Sequence, residues 1–339
     1  MQHRMGKGDL LDAQGRLIER GWASEEARRY RRSAIKAGPL KIKEWDYYCV
    51  LNDAYGLALT MADNDYLGFV SGTWLDFRAA TATTAEALIP FPMGKMKLPE
   101  SADAGDVVFS SGGVRLAYRH APGGRTISID APGFDKGRGL KGEIFLAQPA
   151  MDRMVIATPF ANAPRAFYYN QKINCLRAGG EVIVGGERFV FAPESSMGVL
   201  DWGRGVWTYD NTWYWGSASG VVDGRAFGFN IGYGFGDTSA ASENMVFVDG
   251  RAHKLDQVIF HLPDGKLDAS PWRFSSNDGR FEMRFAPIVD RASHAKVGPI
   301  ESDQHQVFGR FSGTVVLDDG AKLEVRDLIG FAEKVRNRW

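Results

Sequence analysis

GVLDWGRGVWTYDNTWYWGSASGVVDGRAFGFNIGYGFGDTSAASE, residues 198–243, carries four of the nine tryptophans: Trp202, Trp207, Trp213 and Trp215. Further along it, Gly228, Gly232 and Gly234 alternate with Phe227, Phe229, Tyr233 and Phe235. An alternation of period two puts the rings on one face of a strand and the small residues on the other. Asp201, Arg204, Asn230, Asp237 and Glu243 supply a few polar groups within or beside this apolar density. Ligand pockets have this make-up, an aromatic wall with a small number of directing polar groups. Packed β-barrel cores also have it, so residue types alone leave both readings open.

The rest of the chain fits a β-rich setting. Forty glycines, with 21 Phe, 11 Tyr and 9 Trp among 339 residues, favour strands and turns over helices. A 44% apolar content allows a substantial core. The formal net charge is zero, so no global field attracts nucleic acid or an acidic membrane surface. Cys49 and Cys175 are too few for a disulfide framework or a zinc cluster. No run approaches the ~20 apolar residues of a membrane span, and the first residues lack a signal-like stretch. A cytoplasmic protein is expected.

In chain order, SEEARRYRRSAIKA (residues 24–37) predicts a helix, with Ser24 as its cap and Gly38-Pro39 as its stop. Strands follow. KEWDYYCV (43–50) places Trp45, Tyr47 and Cys49 on one face, and residues 78–104, with three prolines, read as a connection. Asp-Gly pairs at Asp223, Asp249, Asp264, Asp278 and Asp319 mark hairpins, because a type I′ turn needs positive φ at both central positions. Phe281, Met283 and Phe285 alternate with charged residues, giving one dry and one wet face. A short helix is expected from Phe331 to Trp339. The whole predicts an all-β protein of two antiparallel barrels: an N-terminal segment with a helix over 1–40, a first barrel over 41–165 and a second over 166–339.

Several motifs have plain readings. The string from Gly232 to Gly236 lacks a Gly-Lys-Ser/Thr ending and a βαβ setting, so it reads as strand and turn. Asp63-Asn64-Asp65 reads as an Asx-rich turn. The six histidines show no ligand spacing, and no Gly-x-Ser-x-Gly elbow occurs. Asp201 is the candidate proton donor, since the surrounding rings would exclude water and raise its pKa, while Arg204 would oppose this. Asp327 follows Leu323 and Val325 at even spacing and so is expected on their dry face, a second catalytic carboxylate if it and Asp201 face one cavity. Trp202, Arg204, Trp207, Trp213, Trp215, Asn230, Tyr233, Asp237 and Glu243 are the candidate ligand-binding residues.

LKIKEWDYYCV, LALTMADNDYLG, FYYNQKIN, LDWGRGVW, WYWGSASG and FGFNIGYGFGDTSAASENM resemble the bacterial family known as domain of unknown function 2804, over nearly the whole chain. A more distant likeness is to tandem lipocalin-like (calycin) proteins that include carotenoid 1,2-hydratases. Asp201-Trp202-Gly203 is similar to their Asp-His-x-Trp-Gly signature without the histidine. Residues 326–331 are similar to their terminal Glu-Leu-Thr-Gly-Tyr strand, with Asp327 at the acidic position. The resemblance implies two lipocalin-like barrels around an apolar ligand. The expected function is therefore binding of a hydrophobic, lipid- or isoprenoid-like molecule in a barrel cavity, with acid–base lyase, hydratase or isomerase chemistry if there is turnover. Such chemistry needs no metal or organic cofactor. A carbohydrate-active enzyme with paired carboxylates on an aromatic platform, and a binding module without turnover, remain open. The oligomeric state is not legible.

Overall fold

The structure, a computed structural model, describes residues 2–338, and nearly all its regular structure is strand. Two antiparallel sheets form one nearly closed barrel and one half-barrel in tandem. The backbone of the first sheet runs, by neighbour, Thr81–Pro90, Leu67–Asp76, Tyr55–Asp63, Ile42–Leu51, Met197–Val206, Ala163–Val184, Leu140–Ala147, Gly124–Ala131, Val114–Ala121 and Val107–Ser111. The second runs Arg251–Lys254, Met245–Val248, Arg225–Tyr233, Asp210–Val222, Lys322–Arg338, Ile300–Val316, Phe281–Val297, Trp272–Ser276 and Val258–His261. The chain passes from one sheet to the other between Val206 and Asp210, whereas residue 165, the expected junction, lies inside the strand Ala163–Val184. Among the described residues no helix is long and apolar enough to cross a membrane.

Alternation decides what each face meets. Tyr48, Val50, Leu200 and Trp202 join the core of the first barrel. Their neighbours Tyr47, Cys49, Leu51 and Val199 pack instead with Trp215, Phe308, Ile329 and Phe331 of the second sheet, closing an apolar seam between the barrels. Phe227, Phe229, Trp272, Phe274, Phe281, Phe285 and Phe311 fill the second barrel, with ring centroids as close as 4.5 Å. The expected split of rings and glycines holds from Phe227 to Tyr233, where a Cβ on Gly228 would come within 2.6 Å of Cys175 Sγ in the first sheet, whereas Phe235, past the strand's end, packs on Tyr168 and Phe160. Asp223-Gly224 and Asp249-Gly250 have positive φ at both residues, as their hairpins require.

Both expected helices are absent. Residues 24–37 contain a two-residue strand, Arg28–Arg29, and a single 3-10 turn, Arg32–Ala34. Tertiary partners override helix propensity here. Tyr30 donates to Glu44 (2.7 Å), Arg32 pairs with Glu44 and Asp65, and Arg28 pairs with Glu19. Extended backbone carries these alternate side chains to the first barrel, and Tyr169 Oη donates to the Arg28 carbonyl (2.7 Å). At the other end, Lys322–Arg338 is a strand paired on both sides, and Trp339 lies outside the described residues. Within 78–104, Thr81–Pro90 is a further strand of the first sheet.

Arg204 anchors the interior of the first barrel. It is fully buried, pairs with Asp46 (2.8 Å), donates to the carbonyls of Trp45 and Pro99 (both 2.7 Å) and lies over the Trp202 ring. Arg204→Met leaves Asp46 without this partner in a dry interior. Urea unfolding of that variant should show a stability loss of about 3–5 kcal/mol with the slope unchanged.

Candidate functional site

Strand register lines up two rows of side chains on the faces that meet at the seam. In the first sheet Lys172 pairs with Asp201, Asp201 with Tyr47 and Tyr47 with Thr60. In the second, Gly232 pairs with Trp215, Trp215 with Glu333, Glu333 with Gln306 and Gln306 with Arg291. Directly opposed residues in a sheet project to the same side. Each row is thus contiguous, and the barrels press the two together.

The contacts follow from this. Lys172 Nζ lies 2.7 Å from Asp201 Oδ2, and both side chains are buried. Asn170, two residues along the same face, donates to Asp201 Oδ1 (2.6 Å), so each carboxylate oxygen has its own donor. From the second sheet, the face of Trp215 sits 3.7 Å from Lys172 Nζ. That indole donates to Asn230 Oδ1 (2.6 Å), and Asn230 donates to the Glu243 carbonyl (2.8 Å). Trp213 Nε1 and Gln306 Nε2 donate to the two oxygens of Glu333 (3.0 and 3.1 Å), and Tyr47 Oη donates to Gln306 (3.0 Å).

Burial sets the electrostatics. It pushes the Glu333 carboxyl up to about 7, against the pull of the Trp213 hydrogen bond and Lys172, with the charge of Asp201 adding to the rise. Glu243 is raised for the same leading reason, opposed by Lys172. The Tyr168 hydroxyl is held well above its ordinary range by burial and by the charges of Glu243, Asp201 and Glu333. Around the cluster, Tyr168, Trp45, Trp207, Trp213 and Phe235 form a wall of rings, with Trp207–Phe235 centroids 4.5 Å apart and Tyr168–Phe235 4.6 Å. Trp45, Trp207 and Trp213 are each half-buried.

Of the residues singled out from sequence, the seam gathers Asp201, Trp213, Trp215, Asn230 and Glu243, with Trp207 in the ring wall. The others lie elsewhere. Trp202 and Arg204 sit on the opposite face of Asp201's strand, inside the first barrel. Tyr233 is on the inner face of the second sheet, stacked on Tyr214 (4.8 Å). Asp237 is paired with Arg20 near the surface (3.1 Å). Asp327 departs from its expected parity. A bulge between the pairs Phe311–Leu328 and Gly313–Val325, with φ of 49° at Asp327, turns that side chain out to solvent, where Ser312 holds its backbone N–H (2.9 Å). Lys172, Asn170, Tyr168, Gln306 and Glu333 were not singled out. Their one signal is polar residues two apart in Tyr168-x-Asn170-x-Lys172.

Two concavities occur outside this seam. One of about 360 Å³ is lined by Arg115, Asp130, Lys141 and Glu181 among others, and one of about 10 Å³ lies against Trp202. Of the rings expected to line a barrel hollow, Tyr233 alone is inside the second barrel, where it packs on Tyr214 and Phe260.

The fold is that of tandem β-barrel proteins. The family model described as Domain of unknown function (DUF2804) matches residues 2–339, and the chain belongs to that family. Among solved structures it is similar to CghA with Sch210972, at 12% identity over 98% of this chain and 97% of that one, with a TM-score of 0.57. It is also similar to a putative AttH from Nitrosomonas europaea, at 13% identity over 92% and 98%, with a TM-score of 0.53. A search of curated proteins finds no match.

The raised Glu333 carboxyl makes a stability prediction. A carboxyl with a folded pKa above its unfolded value contributes stability below about pH 4.5, and that contribution is lost as pH rises through about 7. Glu333→Gln should remove this component. Relative to wild type, the variant should gain at most about 1.4 kcal/mol per pH unit between pH 5 and 7 in denaturant melts.

Proposed function

We propose that the seam between the barrels is an acid–base site for a small, mostly apolar molecule, which it hydrates, dehydrates or isomerises. The observation that carries this reading is the buried Lys172–Asp201 pair lying beside a second buried carboxyl, Glu333, that exchanges its proton near neutral pH. A buried carboxyl that can give up a proton, beside an ion-paired carboxylate in the same dry site, is what proton transfer to and from carbon or a leaving oxygen needs.

Glu333 takes the role of proton donor, in place of the one expected of Asp201. Both of its oxygens already accept hydrogen bonds, so an added proton has no acceptor in that pair of contacts and is available to a bound molecule. Asp201, fixed by Lys172 and Asn170, is the complementary acceptor. Trp215 holds the lysine ammonium against its face, which supports a second role for that face, steadying positive charge that develops on a substrate. The half-buried indoles of Trp45, Trp207 and Trp213 are the side from which a ligand enters. The likeness in fold to CghA, solved with Sch210972, supports ligand binding as the general use of this architecture.

The test is extraction of wild-type and Glu333→Gln protein from one host, followed by mass spectrometry. Wild type should release a product and the variant an unconverted precursor. The two should differ by one water for a hydratase or lyase, or in retention alone for an isomerase. The same compound from both would remove turnover, and no compound from either would remove the ligand. Asp201→Asn should bind the precursor identified in this way but convert it at least a hundredfold more slowly.

A further inference from the structure

One end of the first barrel carries apolar side chains out into water. Leu40, Leu88, Phe91 and Met93 are 41%, 58%, 58% and 49% exposed. Leu40, Phe91 and Met93 also have positive φ, at 68°, 50° and 49°. Non-glycine residues rarely adopt this backbone, and where they do the surrounding structure has to hold it. Here it does. The backbone N–H of Phe91 meets the Tyr66 carbonyl (3.0 Å) and that of Met93 the Asp65 carbonyl (3.2 Å). Asp63 accepts from the N–H of Gly94 (2.8 Å), and Met96 and Leu98 are buried beneath. Leu40 joins the same end through Lys43, whose Nζ donates to the Leu40 carbonyl (3.2 Å) and the Asn64 carbonyl (3.1 Å). The loop after Pro90 is thus a firm mount that holds Phe91 and Met93 outward.

Lysines surround these tips. Lys41, Lys95 and Lys97 are all exposed, the last two alternating with the buried Met96 and Leu98. The aspartates at this end are turned inward: Asp63 and Asp65 are buried, and Asp65 is paired with Arg32. Of the exposed acids near the loop in sequence, Glu100 accepts from the Arg32 backbone N–H (2.8 Å). Glu86 lies about 13 Å back along its strand from Pro90. Apolar tips among ammonium groups match an anionic lipid surface, whose headgroups attract the lysines while the acyl boundary takes the side chains. The whole chain has no net charge, so this attraction is local to the loop.

We propose that the 91–97 loop, with Leu40 and Leu88, docks this protein on an anionic bilayer. A row of directly opposed residues leads from that surface to the ring wall of the seam: Leu88 pairs with Phe69, Phe69 with Ala62 and Ala62 with Trp45. Taken with the reading of the seam as a ligand site, this row gives an apolar molecule a path from the bilayer to Trp45. Docking itself stands without that reading.

Flotation of the full chain with phosphatidylcholine vesicles containing about 30% phosphatidylserine tests this. Saturable binding is expected, weakened about tenfold by phosphatidylcholine alone or by about 0.5 M salt. Asn tolerates positive φ, so the double variant Phe91→Asn, Met93→Asn should melt no lower than wild type while binding about tenfold more weakly. Lys95→Gln with Lys97→Gln should remove the preference for phosphatidylserine. No vesicle binding, binding that ignores phosphatidylserine, or binding unchanged in either double variant would each overturn the proposal. Dimerisation in sedimentation velocity that the Phe91/Met93 variant abolishes, without vesicle binding, would assign the patch to a second copy instead.

Discussion

A strand with no wet side governs this molecule. All ten residues of Met197–Val206 are buried, because one face looks into the first barrel and the other against the second. Most antiparallel strands keep one face in water, and their sequences show it as alternating polarity. Here both faces need internal partners. Trp202 and Arg204 find theirs in the barrel interior, Val199 finds its own across the seam, and Asp201 finds Lys172 and Asn170 on the seam-facing side of the neighbouring strand. Two consecutive residues, Asp201 and Trp202, therefore belong to different chemical environments although they share a peptide bond.

The seam is an unusual place to spend charge. Apolar packing of Tyr47, Phe308, Ile329 and Phe331 would hold the barrels together without help, and buried ion pairs are weak contributors to stability. Lys172, Asp201, Glu243 and Glu333 sit there nonetheless, each tied by directed hydrogen bonds or charge contacts. Burial raises the Glu333 carboxyl to about 7, and the Trp213 hydrogen bond and Lys172 offset this only in part. In a plain salt bridge, by contrast, close opposite charge drives the carboxyl down.

Much of the fold could be read from residue order, because period two is a local property. The faces of Trp45, Tyr47 and Cys49, the dry row of Phe281, Met283 and Phe285, and the ring–glycine split near Phe229 all came from spacing alone. The site was half legible for the same reason. Its tryptophans and Asp201 stood out by type, but which face of each strand meets the other barrel depends on partners distant in the chain. Glu333 was hidden because its stretch looked helical, and Lys172 because a polar pair in a strand usually means solvent. Asp327 went astray through one bulge, which reverses parity without any sequence mark. The basic stretch from Arg28 to Arg32 read as a helix face because its acidic partners lie at a distance in the chain, Asp9 and Glu19 before it and Glu44 and Asp65 after it.

Those opening residues act as a strap. Gly21–Ala23 adds an edge to Val155–Ala157, the backbone N–H of His3 meets the carbonyl of Ala240, and Gln2 donates to the carbonyl of Leu255 (2.9 Å). This segment is thus among the last to be seated, since its partners are spread over about the following 250 residues. Closing loops of that span slows folding more than it weakens the finished structure. Until the strap is tied, Glu44 and Asp65 lack Arg32, the cation that bridges the two.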